Sequence, residues 1–323
     1  MARHRPCGHG HPVRDPALRQ ELRARVHRLR RGGDPGERHV RPPARPHELL
    51  RRRVPAGAGV GRGGAPRGVG RAPPTRSRGE VGVGRILFGE EIAAEIRAEL
   101  QARVAGLARR GVVPGLALVR VGDDPASASY VRQKEKAAHG LGFLSEITVL
   151  PERTTEDELL ALIASLNGDP RFHGILVQLP LPPGLSPERA CGAVDSRKDV
   201  DCLHPANIGR FVRGDPYLLP CTPHAVQEIL LRSGYPPAGK HVVIVGRSPL
   251  VGRPLSILLS QKGPRGDATV TLCHSATPDL GPFTRQADIV VVAVGRPGTL
   301  QTDMVREGAV VIDVGVNRVD DPA

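Results

Sequence analysis

Between residues 85 and 315, short runs of consecutive apolar residues alternate with longer segments of helical periodicity. This alternation constrains the fold more than any other feature. "HVVIVG" (241–246) and "ADIVVVAVG" (287–295) are apolar without a period of two. A strand of that kind is buried on both faces, as parallel strands in α/β sheets are. Further strands are predicted at "GLALVRVG" (115–122), "FLSEITVL" (143–150), "GILVQLPL" (174–181), "ATVTLC" (268–273) and "AVVIDVG" (309–315). Helices are predicted between them. Ile86, Ile92, Ile96, Leu100, Val104 and Leu107 recur at helical spacing before Gly111 and Pro114. Residues 127–139, 222–234 and 254–262 follow suit, and "TTEDELLALIASLN" (154–167) opens on threonine caps and acids. The 323 residues suffice for about two domains. The fold class expected is therefore α/β, with two α/β domains around a cleft and a boundary near 222–235.

The net charge of +13 suggests a nucleic-acid partner, but its location argues otherwise. Residues 1–80 hold 20 arginines, no lysine and six acids, while the other 243 residues carry 26 basic and 27 acidic groups. That leader also has no aromatic residue, and glycine and proline fill 24 of its 80 positions. Such a chain cannot bury enough apolar area to offset its ordering entropy, so residues 1–83 are expected to be disordered. One stretch, 17–31, carries Leu18, Leu22, Val26 and Leu29 at helical spacing. Three readings stand: a tail for nucleic acid or an anionic surface, an organelle transit peptide, and arginine-rich translation upstream of a true start near Val81 or Val83. The composition favours the third. Cys7, His9 and His11 lack a second ligand pair, so no metal is expected. No run approaches the roughly 18 apolar residues of a membrane span. The five cysteines form no CxxC and no close-spaced framework, which suggests a reducing compartment.

"VVIVGRSPLVGRP" (242–254) follows a strand and opens a helix, the place of a Rossmann phosphate turn. Ser248 stands at the second glycine position of the GxGxxG form and Val251 at the third. A glycine at such a turn is also often plain tight geometry. The next strand ends "LCHSAT" (272–277), with no carboxylate for a ribose 2′-hydroxyl. Arg247 in the turn and Ser275 after the strand suit a 2′-phosphate, so NADP is expected over NAD. The plainer reading of Arg247 is a solvated loop cation.

In "VGDDPASASYVRQKEKAAHG" (121–140), Tyr130 and Lys134 are four apart and share a helix face. Such a pair is usually surface. Gln178 ends an otherwise apolar strand, where ligands of open α/β sheets bind, and is either a buried hydrogen-bond link or a ligand group. "KDVD" (198–201) puts two carboxylates on a loop, as functional groups or as caps and solvated charge.

Taken in order, "VGDDPAS…YVRQK", "GILVQLPLP", "KDVD", "PCTP", "VVIVGRSPLVGRP", "TVTLCHSAT", "ADIVVVAVGRPG" and "GAVVIDVGVN" closely resemble the bifunctional methylenetetrahydrofolate dehydrogenase/methenyltetrahydrofolate cyclohydrolases, from about Arg85 to the end. The resemblance implies a folate-binding catalytic domain at 84–223 and a Rossmann-like NADP-binding domain at 224–323. It implies oxidation of 5,10-methylenetetrahydrofolate with NADP and hydrolysis of the methenyl product to 10-formyltetrahydrofolate. By the same resemblance, Tyr130 stacks on the folate, Lys134 is the central catalytic group, Gln178 orients Lys134, and Asp201 holds the pterin ring. Val177 and Leu179 flank Gln178 in the substrate site, and Gly246, Arg247, Ser248, Ser275 and Val316 hold NADP. A cytoplasmic homodimer joined through the second domain and serving purine biosynthesis is implied, with tetrahydrofolates as partners and no nucleic acid or membrane.

Two departures from the family pattern carry expectations. The family has glycine after "DVD", where this chain has Cys202. Its Cβ is expected to crowd the pterin or push the loop off a glycine-only φ. The chain also stops at Ala323, before the family's "PGGVGP" loop and final helix. That implies a product cut short, exposing apolar surface where the helix docks, and the alternative function of an inactive NADP-binding fragment or pseudoenzyme. A shikimate-dehydrogenase-like enzyme shares the two-domain plan but not the Tyr–Lys, "VQLPLP" and "DVD" series.

Overall fold

Among the described residues, seven short strands form two separate parallel sheets. The computed structural model describes residues 84–316, which lie within one compact unit, Val81–Ala323. The basic leader, its 17–31 stretch, the Cys7–His9–His11 cluster and everything from residue 317 lie outside the described residues.

The first sheet has the order β2–β1–β3, built from β1 (Gly115–Val121), β2 (Leu144–Leu150) and β3 (Gly174–Val177). Its strands alternate with α1 (Gly89–Ala108), α2 (Pro125–Gly140) and α3 (Glu156–Gly168). Two short helices, α4 (Pro187–Ala193) and α5 (Pro205–Val212), follow β3, and α6 (Cys221–Arg232) leads to the second sheet. That sheet has the order β5–β4–β6–β7, from β4 (His241–Val245), β5 (Thr269–Cys273), β6 (Ile289–Val292) and β7 (Val310–Asp313). Helices α7 (Gly252–Ser260) and α8 (Gly281–Thr284) lie between its strands.

The packing explains why the strands do not alternate. Alternate residues of the second sheet enter different cores. Val242, Ile244, Ile289 and Val291 pack with Val226 and Leu230 of α6 and Leu255 and Leu259 of α7. Val243, Val245, Val290 and Val292 pack on the other face with Cys273 and Ala287. The first sheet repeats the scheme. Ala117, Val119, Val121, Ile175 and Val177 meet Leu159, Leu162, Ile163 and Leu166 of α3. Leu118 and Leu176 turn the other way, onto Val131 of α2. Each fully buried aliphatic side chain contributes about 1.5–3 kcal/mol of transfer free energy.

Helix starts follow local chemistry. The Asp124 carboxylate accepts from the Ser127 N–H at 2.7 Å, with Pro125 in the first turn of α2. Thr155 and Glu158 form a reciprocal capping box on α3. The expected helical stripe from Ile86 needs correction. Helix α1 begins only at Gly89, Ile86 is 69% exposed, and Val104 alone of the stripe is fully buried. Periodicity survives there because α1 rests one side on α6, where Arg232 bridges Glu99 at 2.7 Å and Glu228 at 2.8 Å.

Candidate active site

Helix α2 carries Ser127, Val131 and Ala138 buried on one stripe. Lys134 sits at the edge of that stripe and is half-buried, while Tyr130, one turn earlier, is 41% exposed. Strand β3 ends at Val177, and Gln178 follows it directly, with its N–H still donating to Val119 O of β1 at 2.8 Å. Gln178 is buried. Its Nε2 donates to Leu179 O at 2.6 Å, which turns Oε1 toward α2. Lys134 Nζ donates to that Oε1 at 3.1 Å. An ammonium has only donors, so the amide orientation and the lysine contact agree chemically. Lys134 and Gln178, 44 residues apart, thus meet at the C-terminal end of the first sheet.

The loop after α4 brings a carboxylate to the same neighbourhood. Ile175 pairs with Asp199 in an isolated parallel bridge, which carries "KDVD" alongside the strand. Cys221 Sγ, at the start of α6, donates to Val200 O at 3.4 Å. Although Cys221 is exposed as a residue, burial of its thiol and then the Asp201 carboxylate push its pKa up to about 12, with Lys134 pulling the other way. Lys134, Asp201 and Cys221 therefore share one electrostatic environment. In sequence, Cys221 of "PCTP" has no assigned role, because a lone cysteine at a helix start carries no positional signal.

Cys202 keeps the conformation expected of a glycine. Its φ is +57° and it is 1% exposed, packed with Phe211 and Leu258. The expected displacement of the loop does not occur. The side chain points into the core, and the left-handed backbone is held at a cost of about 1–2 kcal/mol. Burial, followed by Asp199 and Asp201, raises its thiol to about 11.

The second sheet ends on a turn shaped by missing side chains. Gly246 has φ +121°, and a Cβ there would lie 2.4 Å from Ala293 O. A Cβ on Gly252 would lie 1.8 Å from Gly246 O. The close approach that the fingerprint assigns to its third glycine falls to Gly252, not to Val251, which is the residue before α7. This corrects the expected alignment: the turn holds one extra residue. Ser248 Oγ accepts from the Val251 N–H at 3.1 Å and Arg247 O from Arg253 Nε at 3.1 Å, while the Arg247 and Ser248 residues are exposed. Val245 pairs with Cys273, so Arg247 and Ser275 each stand two residues past matching strand ends. Ser275 is exposed, and Val316, beyond β7, is 75% exposed. Exposed donors beside a turn that excludes Cβ atoms suit a bound phosphate. Among the described residues, no group of three or more His, Cys, Asp or Glu is placed to hold a metal ion. Nor is any described helix long and apolar enough to cross a membrane.

Two parallel α/β domains, one ending in a lysine–amide pair and the other in a Rossmann-like turn, define a dinucleotide-binding protein with a second, substrate-side domain. Residues 87–201 match the model for the tetrahydrofolate dehydrogenase/cyclohydrolase catalytic domain, and residues 220–323 that for the NAD(P)-binding domain. The chain belongs to the tetrahydrofolate dehydrogenase/cyclohydrolase family. It is 57% identical over 231 residues to the bifunctional protein FolD of Dehalococcoides mccartyi, covering 71% of this chain and 78% of that protein. The solved FolD methylenetetrahydrofolate dehydrogenase/cyclohydrolase of Campylobacter jejuni superposes with a TM-score of 0.70 at 43% identity, over 73% of this chain and 83% of that one. The Trypanosoma brucei FolD, solved in complex with NADP cofactor and an inhibitor, gives 0.69 at 40% identity, over 74% and 81%.

Proposed function

We propose that this chain oxidises 5,10-methylenetetrahydrofolate with NADP to 5,10-methenyltetrahydrofolate and hydrolyses that product to 10-formyltetrahydrofolate. The single observation that carries the reading is the 3.1 Å hydrogen bond from Lys134 Nζ to Gln178 Oε1 at the end of the first sheet. Family membership supports both activities. The division of labour is residues 84–223 for the folate and 224–323 for NADP, around a cleft.

Tyr130, exposed on α2, offers a ring face for the folate to stack on. Asp201 accepts hydrogen bonds from the pterin and fixes its orientation, with Val177 and Leu179 flanking Gln178 beside it. Gln178 holds Lys134 Nζ on the side of the one-carbon bridge. Bound NADP would supply the hydride acceptor for that bridge. Gly246, Arg247, Ser248, Ser275 and Val316 would hold it, with Arg247 and Ser275 suited to a 2′-phosphate. The oxidised bridge is a cation open to water. Lys134 polarises the one-carbon unit before oxidation or, as the free amine, activates the attacking water by taking its proton at Nζ and passing it to the ring nitrogen released; general acid–base catalysis of this kind is worth about 10²–10⁴-fold. Positioning of the two planar reactants supplies much of the rest. A cytoplasmic homodimer joined through the second domain, supplying purine biosynthesis, completes the reading, and family resemblance supports it.

The test is an assay of the purified chain with 5,10-methylenetetrahydrofolate and NADP, following NADPH and then the appearance of 10-formyltetrahydrofolate. Stoichiometric formation of both supports the assignment. No folate-dependent NADPH from a folded protein that binds NADP contradicts it.

A further inference from the structure

"KDVD" contains a second acid, and it faces away from solvent. Asp199 is 4% exposed, so it is not a surface charge. Its Oδ1 accepts from the Leu203 N–H at 3.1 Å, and its Oδ2 from the His204 N–H at 2.8 Å and from Asn207 Nδ2 at 2.8 Å. Asn207, 3% exposed on α5, also donates to Ser196 O at 2.7 Å. Asn207 therefore ties the start of the 196–204 loop to the Asp199 carboxylate, and Asp199 holds the end of the loop through Leu203 and His204. Lys198, the neighbour in sequence, is anchored in the other direction. Its Nζ donates to Leu166 O at 3.2 Å and Asp169 O at 2.8 Å, carbonyls at the C-terminal end of α3. Asp201 sits between these fixed points, two residues from the clamped carboxylate and next to the strained Cys202.

We propose that Asp199 and Asn207 are positioning residues for the folate reaction, acting through Asp201. Three donors hold the Asp199 carboxylate, and through it the backbone that presents the Asp201 side chain. Neither residue touches substrate. Hydrogen bonds to a charged group are stronger than those between neutral groups, and a buried carboxylate that loses a side-chain donor pulls on its remaining partners. The cheapest relaxation is a shift of the 199–204 loop, which moves Asp201. This inference rests on Asp201 as the pterin-holding group of the proposed function.

The experiment is a double-mutant cycle on the full chain with Asn207→Ala, Asp201→Ala and the pair. Steady-state constants are measured for 5,10-methylenetetrahydrofolate and NADP, together with dissociation constants for unreactive tetrahydrofolate. Asn207→Ala is expected to raise the folate KM and the tetrahydrofolate Kd about tenfold, with the NADP KM within about twofold of wild type. In the Asp201→Ala background the same change is expected to add nothing. Asn207→Ser, whose shorter side chain carries one donor proton and cannot meet both acceptors, is expected to recover little of the loss. An unchanged folate KM in Asn207→Ala overturns the proposal. So do effects that multiply in the pair, or an NADP KM that rises in step, since these mark general damage. If the wild-type chain binds tetrahydrofolate but turns nothing over, the activity assignment fails, and the clamp is still decided by the Kd cycle.

Discussion

The two sheets end in sites built by opposite means. At the first, side chains do the work: Lys134, Gln178 and Asp199 are placed by hydrogen bonds that cross 44 residues in one case and a tight loop in another. At the second, the decisive feature is the absence of side chains, at Gly246 and Gly252, where two segments of backbone nearly touch. The contrast suits their ligands. A reacting carbon needs a movable proton donor held at one point. A phosphate can be met by backbone N–H groups and exposed cations around a turn of the right shape. The first site should therefore respond to changes of side-chain chemistry that leave the backbone alone, and the second to any added Cβ.

The largest expected effect on stability comes from testing the second half of that contrast. In Gly252→Ala the new Cβ would lie 1.8 Å from Gly246 O, a backbone atom that cannot rotate away. Overpacking of this kind costs about 3 kcal/mol. Chemical denaturation should show that loss, and titration should show NADP binding weakened far more than tetrahydrofolate binding. Equal weakening of both ligands would mean that the two sites are not built independently.

A smaller effect is expected at Cys202, where the first site borrows the backbone device of the second. Cys202→Gly relieves a left-handed residue of about 1–2 kcal/mol but gives up buried contact with Phe211 and Leu258 and adds unfolded-chain freedom. Stability should stay within about 1 kcal/mol of wild type. The folate KM should stay within about twofold, because the loop already has the glycine conformation. A folate KM improved tenfold or more would show that the cysteine distorts the Asp201 loop after all.

Much of this was legible in the sequence, for identifiable reasons. The strands were, because residues buried on both faces, such as Val242 and Val243, leave an unbroken apolar run. Gln178 was, because a polar side chain directly after such a run needs a partner. Its partner was not fixed by spacing; only the fold brings Lys134 to it. Helix α1 was misjudged at its start because apolar periodicity does not distinguish a buried stripe from one lying half on a neighbour. Gly252 was missed because the phosphate turn holds one more residue than the fingerprint. Asn207 gives no signal, and nothing in "KDVD" tells the buried Asp199 from Asp201: a buried carboxylate and a buried amide in short polar segments look like solvated loop until the backbone closes around them.

In the proposed reaction Lys134 works at the one-carbon bridge while NADP is held elsewhere. The most direct measurement is methenyltetrahydrofolate hydrolysis by Lys134→Met, with NADP affinity determined on the same preparation. Hydrolysis should fall at least about 10²-fold with NADP affinity unchanged. Hydrolysis at the wild-type rate by the folded variant would contradict the account.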